Sequence, residues 1–189
     1  MGRFAEALSA RLKREQPTRL TPGKTASVAV VIRDVGDDEE VLLIRRADRE
    51  GDAWSGQVAF PGGMAGPSDG SFQETASREA KEELGADLSG SSAFVGYMRE
   101  RRTHTRAIVV VPSVFVAAAP QSLKPNQKEV ASYEWASLGE LGREHARSSY
   151  LIPRTGGQIP VPCIFYGGLV IWGLTERILS EILELGAKA

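Results

Sequence analysis

Arg78-Glu79-Ala80-Lys81-Glu82-Glu83-Leu84-Gly85 sets glutamates at i, i+3 and i+4, spacings that share one face of a helix. Alone, such a run reads as a solvated helix face, since Glu, Lys and Arg are good helix formers. Its surroundings argue otherwise. Upstream stands Phe60-Pro61-Gly62-Gly63, a turn whose bare backbone can approach a metal or phosphate. A polar loop containing Asp69 follows, and Gly85 sits where a helix-stopping glycine belongs. The spacing predicts a helix from Ser71 or Thr75 to Leu84. Its like charges make sense if a divalent cation bridges Glu79, Glu82 and Glu83, and Arg78 can brace a neighbouring glutamate.

Working outward, Phe4, Ala5, Leu8 and Leu12 predict an amphipathic N-terminal helix ended by Pro17, within an extension over residues 1–22. Ser27–Arg33 and Glu40–Arg46, joined across Gly36-Asp37-Asp38-Glu39, predict a hairpin. Ala93–Arg101, Ala107–Ala118, Val130–Trp135 and Val161–Tyr166 read as strands, and Ser137–Leu141 as a helical turn. A long amphipathic helix is expected over 170–186, with Trp172 on its apolar face. Strands and helices do not alternate regularly, so the class is α+β, in a single domain over 1–189.

Composition narrows the chemistry. Of 189 residues, 24 are acidic and 23 basic, a net charge of −1, so no global field calls for nucleic acid or an anionic membrane. Cys163 is the lone cysteine, which excludes an intramolecular disulfide and a cysteine-held zinc. Only His104 and His145 could supply imidazole, so a metal should be oxygen-ligated, as Mg²⁺ or Mn²⁺. The N-terminus lacks the apolar core of a secretory signal, and no run approaches a membrane span; a cytoplasmic location is expected. Arg45 and Arg46, and the group Arg99, Arg101, Arg102 and Arg106 around His104, are candidate phosphate ligands. Trp54, in a polar loop, is the better candidate to stack a base; Trp135 is a weaker one.

The stretch from Gly63 to Ala86 resembles the Nudix box, a glycine, a spaced acid, then Arg-Glu-x-x-Glu-Glu-x-Gly. Asp69 and Gly63 each stand one residue earlier than usual, so the loop carries one extra residue. That feature, with Leu42-Leu43-Ile44-Arg45-Arg46, Ser55–Gly63, Pro125-Asn126, Glu129-Val130 and Ile171–Thr175, resembles the coenzyme A diphosphatase-like branch over roughly residues 25 to 185. Where that branch has Arg-Ser, three residues and Arg, this chain has Arg46-Ala47, Asp48-Arg49-Glu50 and Gly51.

The resemblance implies an α/β/α sandwich around a mixed sheet, the Nudix fold, with the box as loop–helix–loop. It implies Mg²⁺ (or Mn²⁺) held by Glu79, Glu82, Glu83 and the Gly63 carbonyl. Glu79 is the first choice of base, Glu129 a loop ligand or base, and Glu100 a weaker candidate. Arg45, Arg46, Gly62, Trp54 and Arg102 are the expected substrate contacts. The substrate would be a small nucleotide-type molecule, coenzyme A or an acyl-coenzyme A. The alternatives are another nucleoside diphosphate or triphosphate, or a non-catalytic nucleotide-binding module. The amphipathic end helices suit a homodimer as well as internal packing.

Overall fold

A computed structural model describes the chain except residues 1, 53, 90–91, 104–107, 118–121, 145–147, 155–156 and 188–189. The expectations for His104, Arg106 and His145 fall outside the described residues. In chain order the elements are α1 (Arg3–Ser9), β1 (Thr25–Val35), β2 (Asp38–Arg46), β3 (Val58–Ala59), β4 (Gly62–Met64), α2 (Phe72–Leu84), β5 (Ser92–Tyr97), β6 (Arg101–Arg102), β7 (Val109–Ala117), β8 (Val130–Ser137), α3 (Leu138–Glu144), β9 (Ser148–Arg154), β10 (Gly157–Tyr166), β11 (Leu169–Trp172) and α4 (Gly173–Ala187).

The main sheet is mixed. β1 runs parallel to β7 and antiparallel to β2, and β5 and β6 pair with β7. β1 and β2 are rich in Val, Ile and Leu without polar alternation because both faces are covered. Ala29, Val31, Leu42 and Ile44 pack under Ala76, Ala80 and Leu84 of α2. Val30, Ile32, Val41 and Leu43 pack under α1, α3 and α4 through Leu8, Leu141, Ile178 and Ile182. The result is the three-layer α/β/α arrangement with a mixed sheet.

β1 and β2 pair only near their hairpin, from Ile32↔Val41 to Val35↔Asp38. Beyond that they splay. The N-terminal half of β1 takes β4 as partner (Ser27↔Gly63), and the C-terminal half of β2 takes β3 (Ile44↔Ala59). Phe60-Pro61 crosses the gap, with the Pro61 carbonyl accepting the Ala29 N–H at 2.7 Å. This wedge holds the sheet open beside α2.

The ends differ from expectation. α1 stops at Ser9, and Lys13 bridges Tyr97 as an extended residue while the Tyr97 N–H donates to the Lys13 carbonyl at 2.8 Å. Sheet pairing captures the segment that helical spacing assigned to a longer helix. α4 starts at Gly173 rather than at 170, because Val170–Trp172 pair with Phe165–Cys163. Trp172 is thus a half-buried strand residue and not part of a helix face. Val161–Tyr166 is the end of a ten-residue strand paired with β9, in a separate three-stranded sheet.

α1 is fastened by one buried side chain. Glu39 accepts hydrogen bonds from the Phe4 N–H at 2.6 Å and the Ala5 N–H at 2.9 Å, two donors that the helix start leaves without partners. Glu39→Ala should cost roughly 1–3 kcal/mol in urea unfolding, the cost of stranding buried donors, and should open residues 9–16 to proteolysis. Unchanged stability would show that α1 is held by its apolar contacts alone.

Candidate active site

α2 is built to present its glutamates at a fixed height. The Ser71 hydroxyl accepts the Glu74 N–H at 3.1 Å, and the Glu74 carboxylate accepts the Gly70 N–H at 2.9 Å, a reciprocal cap offset by one residue from the usual form. At the other end Gly85 adopts φ 67°, the left-handed conformation glycine allows, and its N–H donates to the Lys81 carbonyl at 2.9 Å. Two further helix carbonyls are capped from afar: the Lys124 N–H donates to Leu84 at 2.7 Å and the Asn126 N–H to Glu83 at 2.8 Å. The Pro125-Asn126 loop is therefore docked on the end of α2, and Glu129, whose N–H donates to the Asn126 carbonyl at 2.8 Å, comes with it.

Arg78 is the hub. Its Nε and Nη2 grip Asp69 at 3.1 and 3.0 Å, and Nη2 also donates to the Met64 carbonyl at 2.9 Å. Nη1 reaches Glu79 at 2.8 Å and both Glu82 oxygens at 3.3 Å. Asp69 also accepts from the Gly66 N–H at 2.8 Å and the Thr75 hydroxyl at 2.9 Å. The hydrogen bond to Arg78 holds the Asp69 carboxyl below its ordinary range, so it stays ionised and acts as a brace rather than as a free acid. The extra loop residue is absorbed in this way. The sequence signals Asp69 only by its displaced spacing and says nothing of this bracing role.

A side chain would meet different obstacles at Gly62 and at Gly63. A Cβ on Gly62 would collide with the Ser27 carbonyl and Val28 of β1. One on Gly63 would lie 2.5 Å from the Glu79 carboxyl carbon. The Glu79 carboxylate thus rests directly against the Gly63 main chain. Beside it, the Glu83 carboxylate accepts the Gly62 N–H at 2.9 Å.

Glu83 is only 3% exposed. Burial pushes its carboxyl up to about 8, against the Gly62 N–H and Arg46, while Glu79 and Glu129 push the same way. Burial also raises Glu79, partly offset by Arg78, with Glu82 and Glu129 adding to the rise. Among the described residues no three acidic or imidazole side chains close into a finished metal shell; the Arg78 guanidinium is the positive charge between Glu79 and Glu82. The donor set nonetheless fits a hard divalent cation: carboxylate oxygens beside half-buried glycine backbone, with a buried carboxyl whose ionisation lacks sufficient positive charge.

The expected phosphate ligands separate. Arg46 lies on the α2 face, near enough to Glu83 to stabilise its charge. Its Nη2 pairs with Asp52 at 2.7 Å, and its buried Nε has no hydrogen-bond partner among the described residues. Arg45 alternates to the other face, lining a cavity of about 170 Å³ with Leu43, Tyr133, Tyr166 and Leu169. Arg102 pairs with Val109 at the far side of β7, and Glu100 lies between β5 and β6. Among the described residues none of these three makes a hydrogen bond or ion pair with the glutamates. Trp54 is half-buried in the β2–β3 loop, its N–H donating to Asp52 at 3.0 Å, whereas Trp135 is engaged by Arg33, 4.0 Å from its ring.

Because the folded pKa of Glu83 lies above the ordinary 4.5, its contribution to stability is full below about 4.5 and lost as pH rises through about 8. In chelator, the wild type should therefore lose stability on going from about pH 5 to pH 9 on the order of a few kcal/mol more than Glu83→Gln does. Added Mg²⁺ should remove the difference. Equal pH slopes in urea unfolding would contradict the burial of an uncompensated Glu83 charge.

A family model, the NUDIX domain, matches residues 23–155. A Nudix hydrolase, NudL, of Yersinia enterocolitica is 31% identical over 187 residues, covering 97% of this chain and 93% of the relative. The human mitochondrial coenzyme A diphosphatase NUDT8 is 31% identical over 163 residues, covering 85% and 69%. Coverage is not always so full: of a 38% identical protein of Schizosaccharomyces pombe the chain spans 32%. The crystal structure of RenU, a Nudix hydrolase of M. smegmatis, superposes with a TM-score of 0.59 at 18% identity over 94% of both chains, a likeness of fold. The chain belongs to the Nudix family, and it is a Nudix hydrolase, an enzyme of the diphosphatase kind.

Proposed function

We propose that the chain hydrolyses the diphosphate linkage of coenzyme A or an acyl-coenzyme A, with Mg²⁺ (or Mn²⁺) held by Glu79, Glu82, Glu83 and the Gly63 carbonyl. The observation that carries the chemistry is the convergence of Glu79 and Glu83 on the Gly62-Gly63 backbone, with Arg46 alongside. The substrate rests on likeness to coenzyme A diphosphatases, the human protein and a 28% identical peroxisomal one of Caenorhabditis elegans. What the cation would supply is Lewis-acid activation of water and neutralisation of charge on the diphosphate oxygens.

The chain's own residues divide the remaining work. Arg78 orients Glu79 and shares its charge with Glu82. The Gly62 N–H orients Glu83. Glu79 is our first choice to take the proton from the attacking water, with Glu129 as further ligand or base. Arg46, beside Glu83, is the candidate guanidinium for a diphosphate oxygen. Trp54 remains the candidate for stacking on a base, with Arg45 and Arg102 as further candidate contacts to parts of the substrate away from the glutamates. A second reading, another nucleoside diphosphate derivative, draws on one observation: the residue standing where the branch carries its second arginine is Gly51, at φ 79° in a turn. Among the described residues no helix is long and apolar enough to cross a membrane, and a cytoplasmic site of action is part of the proposal.

With Mg²⁺, coenzyme A should yield an adenosine bisphosphate and a phosphopantetheine, with one ¹⁸O from labelled water in one product. Inert coenzyme A beside a readily cleaved dinucleotide or nucleotide sugar would favour the second reading. Gly63→Ala displaces the Glu79 carboxylate without straining the backbone, so turnover should fall about 10²-fold with little change in Tm. Full activity in that variant would remove Gly63 from the site.

A further inference from the structure

We propose that Arg49 is a positioning residue acting through Glu129, holding that carboxylate toward Glu79 and Glu83; the inference rests on Glu129 serving the reaction. Arg49 lies in the β2–β3 loop, and its main chain is fixed there. Its N–H donates to the Ser55 hydroxyl at 2.6 Å, and its carbonyl accepts the Asp52 N–H at 3.2 Å. From that anchor the side chain crosses to a segment 79 residues later, with Nε donating to the Lys128 carbonyl at 2.8 Å. Nη2 then stands 3.6 Å from the Glu129 carboxylate.

The main chain at Glu129 is fixed independently. The Ala47 N–H donates to the Glu129 carbonyl at 2.9 Å, and the Asn126 turn is tied to the end of α2. What those bonds leave free is the Glu129 side chain, 39% exposed and facing two like charges. Repulsion favours a rotamer turned out to solvent. Among the described residues Arg49 is the one cation within ion-pair distance of Glu129, and its Nε bond to Lys128 fixes where that cation stands. An ion pair this exposed contributes little to folding, Arg49 itself being 47% exposed. Its loss should therefore appear in turnover and leave stability unmoved.

The test is a double-mutant cycle on the full chain with Mg²⁺, run in parallel on coenzyme A and ADP-ribose so that the choice of substrate does not hide the coupling. Glu129→Gln should lower kcat. Arg49→Ala should lower kcat about tenfold with KM within about twofold, at unchanged Tm. Arg49→Lys should recover part of the loss. In the Glu129→Gln background Arg49→Ala should add nothing. Full kcat in Arg49→Ala beside an impaired Glu129→Gln would overturn the proposal, as would additive losses or an effect confined to KM, which would make Arg49 a direct substrate contact. A fully active Glu129→Gln would instead remove Glu129 from the site, and the role of Arg49 with it.

Discussion

One guanidinium organises the cleft. Arg78 ties the loop after β4 to the helix that follows it, through Asp69 and the Met64 carbonyl on one side and Glu79 and Glu82 on the other. A planar fork with five donors can satisfy acceptors in several directions at fixed angles, which a lysine cannot. Without that link Glu79 and Glu82 would face each other uncompensated, and the Gly63 backbone would not be held against Glu79. The extra loop residue and the displaced acid make sense as one arrangement: Asp69 fills the far side of the fork.

The hub works because the sheet beneath it is held open. The splay of β1 and β2, wedged by β3, Phe60-Pro61 and β4, puts glycine backbone under the glutamates of α2. Apolar layers on both faces of β1 and β2 keep that geometry rigid. The Lys124–Asn126 main chain completes the helix end and delivers Glu129. Burial then does the electrostatic work. Glu83, nearly dry and facing other carboxyls, is a group whose ionisation calls for a cation.

Much of this was legible in the residues. Ser71 and Gly85 bracket α2 by cap chemistry, and the three glutamates share a face by spacing. The residues themselves gave an α+β class, and the resemblance of the box to the Nudix family implied the mixed α/β/α arrangement that is found. What local pattern could not show depends on pairing. Leu12 keeps helical spacing, yet the next residue joins an edge of Tyr97. Val170–Trp172 read as the start of a helix and are a strand, because β10 lies within reach. Arg45 and Arg46 look equivalent in sequence. The alternation of β2 places one behind the sheet and the other beside Glu83, and no linear motif records which. The docking of a turn near residue 125 on the end of α2 is equally a matter of long-range main-chain bonds.

The organising role of Arg78 is most directly tested by Mn²⁺ titration, followed by electron paramagnetic resonance, of the wild type and of Arg78→Lys. Lysine keeps the charge and loses the fork. If Arg78 sets the carboxylate geometry, Mn²⁺ affinity falls at least about tenfold while circular dichroism and Tm stay close to wild type. Equal affinities in the two proteins would contradict the claim that this guanidinium builds the site.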